Sequence, residues 1–445
     1  MDVYQEYKGK CCTADQAVQV VKDGDWVDYG MSCAYPTALD KALARRQGDL
    51  KDIKVRNAIS CHPVAILEAD PENETFTYNL WHCSAIDRKY LDAGRAYHEP
   101  MLFRDCGSYY TRGFAPVNVA MITVAPMDRH GNFSFGLTNG CTQEMLDAAE
   151  TIIVEVNPNM PVVFGMGSDH IHVSKVQAIV ESQEAVSLAP NREPSAIDKQ
   201  IAENIFPYLH DGITLQLGIG GMPNALGILI AESDLKDLGM HTELMSDGYL
   251  NLYKAGKITN DKKPFQRGKG VFSICMGSKE LYEFLDHNQD VLSAPMHYVN
   301  NPETIRQLDD FISINSCIAA DLYGQVCSES AGTRHISGTG GQLDFVTGAY
   351  AADHGKAFLA MPSSRVDKQG IRHSNILSRF TAGDIITTPR TQAPYMVTEY
   401  GVANLSGLAT WQRAEALINI AHPDVREDLI KAAEAQHIWR RSNKC

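Results

Sequence analysis

The sequence predicts an α/β protein made of two tandem, similar open α/β domains with mostly parallel sheets. Three observations carry that expectation. Short β-branched runs alternate with helical patterns, one polar and proline-containing stretch breaks the chain, and the segments on either side of the break match in order. With 445 residues the chain is also longer than one hydrophobic core usually supports, which favours two domains of ordinary size.

Four runs read as strands: "VAMITVAP" at 119–126, "TIIVEV" at 151–156, "ITLQL" at 213–217 and "GKAFLAMP" at 355–362. The break is "SLAPNREPSAIDK", 187–199, with two prolines among polar residues ahead of a new helix. It sets the expected boundary, one domain over 1–190 and a second over 191–445. "DGDWVDYGMSCAYPTAL" from Asp23 and "DGITLQLGIGGMPNAL" from Asp211 share Asp-Gly, a following glycine, and a proline two residues before Ala-Leu. "LKDIKVRNAIS" from Leu50 matches "LKDLGMHTELM" from Leu235, and "VAMITVAPMDRHGNFSFG" from Val119 matches "ISINSCIAADLYGQVCSE" from Ile312. In this register Glu243 falls opposite Ala58, so one half carries a carboxylate where the other has a methyl group.

Composition narrows the function. Hydrophobic residues make up 44% and charged residues 21%, and no low-complexity segment interrupts them. The formal net charge of -14 argues against nucleic-acid or membrane-surface binding as the main role, because both favour a basic face. No apolar run approaches the roughly 18 residues of a membrane span, and "MDVYQEYKGKCC" lacks the profile of a signal peptide, so a cytoplasmic protein is expected. Eleven scattered cysteines without a CxxC fit reduced thiols in a reducing compartment.

Chemistry-bearing residues cluster in the second half. "LGIGGMPNALG" runs from a strand into a helix with Gly218, Gly220, Gly221, Met222, Pro223 and Asn224 at the turn. Backbone N–H groups at such a helix start can hold an anion, yet the same motif also serves as a tight turn that needs glycine. It is neither a dinucleotide fingerprint nor a phosphate loop. "SAGTRHISGTGGQLDF" offers a second set of donors around Gly338, Gly340 and Gly341, or else a mobile surface loop. Glu243, between a buried strand and a turn at "SDG", is open to four roles: nucleophile, general base, metal ligand or salt-bridge partner. His170 and His172 of "SDHIHVS" share one strand face and read as a satisfied structural pair. Cys61 and His62 of "SCHP", as strand neighbours, point to opposite faces and are poorly placed to act together. "KKPFQRGKG", with Lys269, reads as a solvated charge run rather than a phosphate contact.

Taken together, "LGIGGMPNA", "HTELMSDG", "FISINSCIAADLYGQV", "SGTGGQLDFVTGA", "VTEYGVANLSG" and "AEALINIAHPD" resemble the acetyl-CoA hydrolase/transferase family, the coenzyme A transferases that use a glutamate. The resemblance covers essentially the whole chain. It is closest to the butyryl-CoA:acetate CoA-transferases and almost as wide to the 4-hydroxybutyrate CoA-transferases. It implies the CoA-transferase fold, of the NagB/RpiA-like kind, with the active site between the two domains. Glu243 then matches the catalytic nucleophile that becomes a glutamyl-CoA thioester, and Asn315 of "SINS" an asparagine that orients it. Gly218 to Asn224 and Gly338 to Gly341 match coenzyme A contacts. Met31 of "YGMSCAYP", aligned with the glycine turn, falls in the substrate pocket and suits an unsubstituted alkyl chain. The implied ligands are acyl-CoA and short-chain carboxylates, with coenzyme A as substrate, no permanently bound cofactor and no metal. The implied assembly is a homo-oligomer, dimer or tetramer.

Overall fold

A computed structural model describes residues 2–189, 193–392 and 395–440. Two open sheets dominate among the described residues. Strands of the first are β1 (Trp26–Tyr29), β2 (Ile53–Asn57), β3 (Phe76–Leu80), β4 (Ala96–His98), β5 (Val119–Val124), β6 (Thr151–Val156) and β7 (Ala178–Glu181). Those of the second are β8 (Thr214–Leu217), β9 (Gly239–Met245), β10 (Gly270–Cys275), β11 (Val291–Ser293), β12 (Phe311–Ser316), β13 (Lys356–Ala360), β14 (Tyr395–Thr398) and β15 (Gly401–Asn404). The helices used below are α1 (Thr37–Ala44), α2 (Thr142–Ala148), α3 (Ala196–Ile205), α4 (Gly221–Glu232) and α5 (Gln342–Ala351).

The first sheet runs β4-β3-β2-β1-β5-β6-β7 and the second β11-β10-β9-β8-β12-β13-β14-β15. Each therefore orders its strands fourth, third, second, first, fifth, sixth, seventh, which is the repeat seen in the sequence expressed as topology. Every pair in the first sheet is parallel. The second adds β15 as an antiparallel hairpin partner of β14.

The strands form where the apolar runs predict them, and their burial explains their composition. Strands covered on both faces read as continuous apolar runs rather than alternating ones. All six residues of β5 are buried, and along it Ala120, Ile122 and Val124 pack into one apolar cluster while Val119 and Met121 pack into another. That alternation is the two-residue period of a strand, which sends neighbouring side chains to opposite faces.

Contacts group the chain into one unit of Met1–Pro190, Glu243–Asp247 and Lys269–Val299, and a second of Asn191–Thr242, Gly248–Gly268 and Asn300–Cys445. The expected boundary at 190/191 falls on residues outside those described. Glu243, expected in a continuous second domain, groups with the first unit. Helix α3 opens the second unit with a capping box: Ser195 accepts the Asp198 N–H, and the Asp198 carboxylate accepts the Ser195 N–H at 2.9 Å.

Two local expectations are corrected. "SDG" is not a turn but the start of a helix, Asp247–Lys254, so β9 passes into helix without a loop. Cys61 and His62 lie after β2 rather than on a strand: Cys61 Sγ is 3.8 Å from Ser32 Oγ, and His62 Nε2 is 2.7 Å from Ser187 Oγ. No helix among the described residues is long and apolar enough to cross a membrane.

Candidate active site

Glu243 stands near the end of β9, half-buried between the buried residues Thr242 and Leu244. Two features fix its strand. At Gly239 a Cβ would come within 2.8 Å of Thr214 Oγ1 and 2.9 Å of the Lys263 stem, so glycine alone lets the strand start there. At the other end the Met276 N–H donates to Met245 O at 3.1 Å. Asp247 follows, and its carboxylate accepts the Ser278 N–H and hydroxyl, at 3.0 Å and 2.5 Å, at the start of the helix Lys279–Leu285. Leu244 packs in an apolar cluster with Met31, Ala58, Trp81, Cys141 and Met145.

Met31 lines a small cavity of about 20 Å³, with room for about one water molecule, together with Tyr29, Arg56, Asn57, Ala58, Trp81, Tyr110, Cys141, Thr142 and Met145. Tyr29 and Asn57 end β1 and β2, while Ala58 and Trp81 follow β2 and β3. The cavity thus lies beyond the carboxyl ends of parallel strands, where open α/β sheets bind ligands. Met31 is buried in the first unit.

In the second unit the glycine turn joins β8 to α4. Gly220 has φ +121 and ψ −173, a backbone region essentially reserved for glycine, and caps α4 without a side-chain hydrogen bond. A Cβ on Gly221 would fall 2.4 Å from Asp198 Oδ2, and one on Gly218 3.2 Å from Asn315 Oδ1. Met222 and Pro223 are buried in the first turn of α4, and the Asn224 N–H donates to Gly220 O at 3.2 Å. The Tyr249 hydroxyl accepts the Leu217 N–H at 2.7 Å and donates to Leu215 O at 3.3 Å, holding the end of β8 in register.

Asn315 is embedded in a network the sequence did not reveal. Its Nδ2 donates to Gln216 Oε1 at 2.9 Å and to Ser313 Oγ at 3.1 Å, while its Oδ1 accepts from Gln216 Nε2 at 3.0 Å. Ser313 Oγ donates to the same Gln216 Oε1 at 2.7 Å. Both ends of the amide are therefore engaged by its own strand and β8. The signal that might have shown this was present: Gln216 and Ser313 are buried polar residues in otherwise apolar strands, and such groups need partners.

The second glycine cluster is not a mobile surface loop. Gly338, Gly340 and Gly341 are buried and lead into α5, with Gly340 at φ +54. Ser337 Oγ donates to Ser328 O at 2.8 Å, and the Ile336 N–H donates to Glu329 O at 2.7 Å.

The remaining candidates fall away from this chemistry. His170 Nδ1 lies 3.0 Å from Asp169 Oδ1, and His172 Nδ1 2.8 Å from Ser174 Oγ, so each histidine has a local partner. Lys269 is tied to the Gln289 carbonyl. Lys263, in the same charge run, is only 1% exposed and donates to Met240 O at 3.1 Å, which corrects the reading of that whole run as solvated.

Comparison with known proteins adds three findings. Residues 1–190 match the model of the acetyl-CoA hydrolase/transferase N-terminal domain, and residues 277–433 that of the acetyl-CoA hydrolase/transferase C-terminal domain. The chain is 47% identical to the butyryl-CoA:acetate CoA-transferase of Anaerostipes caccae over 100% of both chains, and 38% identical to the 4-hydroxybutyrate coenzyme A transferase of Clostridium kluyveri over 97% of this chain and 98% of that one. The crystal structure of RipA from Yersinia pestis superposes with a TM-score of 0.91 at 34% identity, covering 98% of this chain and 100% of the other.

Proposed function

The chain belongs to the acetyl-CoA hydrolase/transferase family, and we propose that within it the protein moves coenzyme A between butyryl-CoA and acetate, with Glu243 as the nucleophile. The observation that carries this is the setting of Glu243. It is a half-buried carboxylate near the carboxyl end of a strand, in the unit that also holds an apolar-lined cavity beyond the carboxyl ends of β1 and β2.

A glutamate is ionised at neutral pH, its unperturbed pKa being about 4.3, so it attacks without a general base. Attack on the butyryl thioester gives a mixed anhydride and the CoA thiolate. The thiolate attacks the glutamyl carbonyl, which releases butyrate and leaves a glutamyl-CoA thioester. Acetate then reverses the two steps, releasing acetyl-CoA and free Glu243. One thioester replaces another throughout, so the exchange is nearly isoenergetic and calls for no ATP or redox group.

Backbone donors at Gly338 to Gly341 stabilise the oxyanion of each tetrahedral intermediate, and the turn from Gly218 to Asn224 holds part of coenzyme A in this reading. Asn315 orients Glu243 once it gives up one of its donors to Gln216 or Ser313. We place the enzyme in the cytoplasm, in short-chain acid fermentation, as a homo-oligomer.

The test is thioester exchange from butyryl-CoA with and without acetate, followed by intact-mass spectrometry. Acetate-dependent acetyl-CoA formation and a CoA adduct on Glu243 support the proposal. Thioester loss at a rate independent of acetate makes the enzyme a hydrolase and overturns it.

A further inference from the structure

We propose that Cys33 and Cys61 are a redox pair: peroxide oxidises the Cys33 sulfur, Cys61 closes it to a disulfide, and the new bond disturbs the strand that carries Glu243. Formation of the bond stands on the geometry of the thiols, and its effect on transfer rests on the transferase reading.

Strand register brings the two thiols together. β1 and β2 are parallel neighbours with Asp28 opposite Arg56, and Cys33 and Cys61 each stand five residues beyond their member of that pair. The Ser32 N–H donates to Ala58 O at 3.0 Å and ties together the segments that follow the two strands. Ser32 Oγ reaches both sulfurs, at 4.0 Å from Cys33 Sγ and 3.8 Å from Cys61 Sγ. The Cys61 thiol hydrogen-bonds to the Cys33 sulfur, which holds Cys33 below the usual thiol range against the cost of burial and pushes Cys61 up. Cys33 is thus the more readily ionised of the two, and the thiolate is the form that peroxide oxidises. Cys33 is buried, whereas half-buried Cys61 opens the pair to a small oxidant.

The chemistry balances with hydrogen peroxide as the oxidant. The Cys33 thiolate attacks one peroxide oxygen, the O–O bond breaks, and Cys33 becomes a sulfenic acid while hydroxide leaves. The proton that Cys33 gave up joins the hydroxide as water. The Cys61 sulfur then attacks the sulfenic sulfur, the S–O bond breaks, and the departing oxygen takes the Cys61 proton as a second water. Two thiols lose two electrons and one peroxide gains them. A dithiol reductant reverses the change by exchange.

Cys33 also touches the supports of Glu243. Its sulfur lies 3.4 Å from the Tyr282 hydroxyl, which accepts the Gly277 N–H at 3.2 Å and donates to Ser187 O at 2.8 Å. Gly277 O accepts the Ala189 N–H at 3.0 Å, and the preceding residue, Met276, donates its N–H to Met245 O at the end of β9 at 3.1 Å. All of these residues belong to the first unit. A disulfide sets its sulfurs about 2.05 Å apart, closer than any hydrogen bond, so Cys33 leaves Tyr282 or draws it along. Cys106 and Cys141, also hydrogen-bonded to each other, are both buried and serve as the comparison pair.

The test treats the reduced full-length protein with hydrogen peroxide, blocks free thiols, maps disulfides by peptide mass and follows acetate-dependent transfer from butyryl-CoA. The expected main linkage joins Cys33 to Cys61. Transfer is expected to fall at least about tenfold, because misplacing a reacting group by about 1 Å costs roughly a hundredfold, and dithiothreitol restores it. Cys61→Ser leaves the sulfenic acid on Cys33, where dimedone traps it, and Cys33→Ser keeps most of its own untreated rate. Each protein is compared with its own untreated sample, so a lower folded fraction cancels, and the wild-type map needs no variant. A main linkage between Cys106 and Cys141, no linkage at all, a bond that leaves transfer unchanged, or Cys33→Ser inactivated like wild type overturns the inference. If the untreated enzyme shows no acetate-dependent transfer, the transferase reading fails, and with it the effect on transfer, while the disulfide map still decides the thiol pair.

Discussion

Replacing Lys263 with Met tests how the strand that carries Glu243 is braced. Lys263 Nζ donates to the carbonyl of Met240, three residues before Glu243 on β9, and burial pushes its pKa down to about 7. An unfolded lysine titrates near 10.4. Between these values the unfolded chain binds a proton that the folded chain does not, so stability contributed by this group rises with pH, by about 1.4 kcal/mol per unit. The whole penalty, on the order of 4 to 5 kcal/mol, is present below the folded pKa and is relieved as pH climbs towards the unfolded one. Lys263→Met removes the linkage. Denaturant unfolding of both proteins at about pH 8, 9 and 10 is expected to show wild type gaining on the variant by about 1.4 kcal/mol at each step. Buried phenols such as Tyr29, Tyr35 and Tyr78, raised by burial, pull stability down over the upper part of that range in both proteins and cancel in the difference. A difference that stays flat across the three pH values refutes the account of Lys263 as a lysine kept neutral by burial.

Three further outcomes follow from named geometry. Glu243→Ala is expected to abolish both the CoA adduct and acetate-dependent transfer while leaving the unfolding midpoint nearly unchanged; retention of transfer would falsify the nucleophile assignment. Gly220→Ala meets no atom within 4 Å, so its cost is backbone strain alone, about 1 to 3 kcal/mol, read as a lower midpoint in urea together with a weaker KM for acyl-CoA. A variant as stable as wild type would mean the turn has another accessible conformation. Asn315→Ala strands the amide of Gln216, which is 3% exposed, and should cost roughly 2 to 3 kcal/mol. Gln216→Leu added to it should recover part of that loss, and strictly additive losses would show the two amides are not paired.

Much of the fold was legible because its signals are periodic. β-branched runs such as "TIIVEV" became buried parallel strands, and the internal repeat reappeared as a shared strand order. What stayed hidden depends on which residues meet across strands. Gln216, Ser313 and Asn315 lie about a hundred positions apart in the chain at the extremes, and only the register of β8 against β12 puts their side chains together. Lys263 looked like one member of a solvated run because charge counting ignores which residue the chain folds inward. Arg56 gave no sign of being buried until β1 and β2 set it beside Asp28. The register match between the halves read further than it first promised. The position opposite Glu243 is Ala58, whose methyl group lines a small cavity with Met31, Trp81 and Met145. The repeat thus carries a half-buried carboxylate on β9 in one copy and, in the other, a methyl group packed in an apolar cluster, where an ionised side chain would need a partner to be buried.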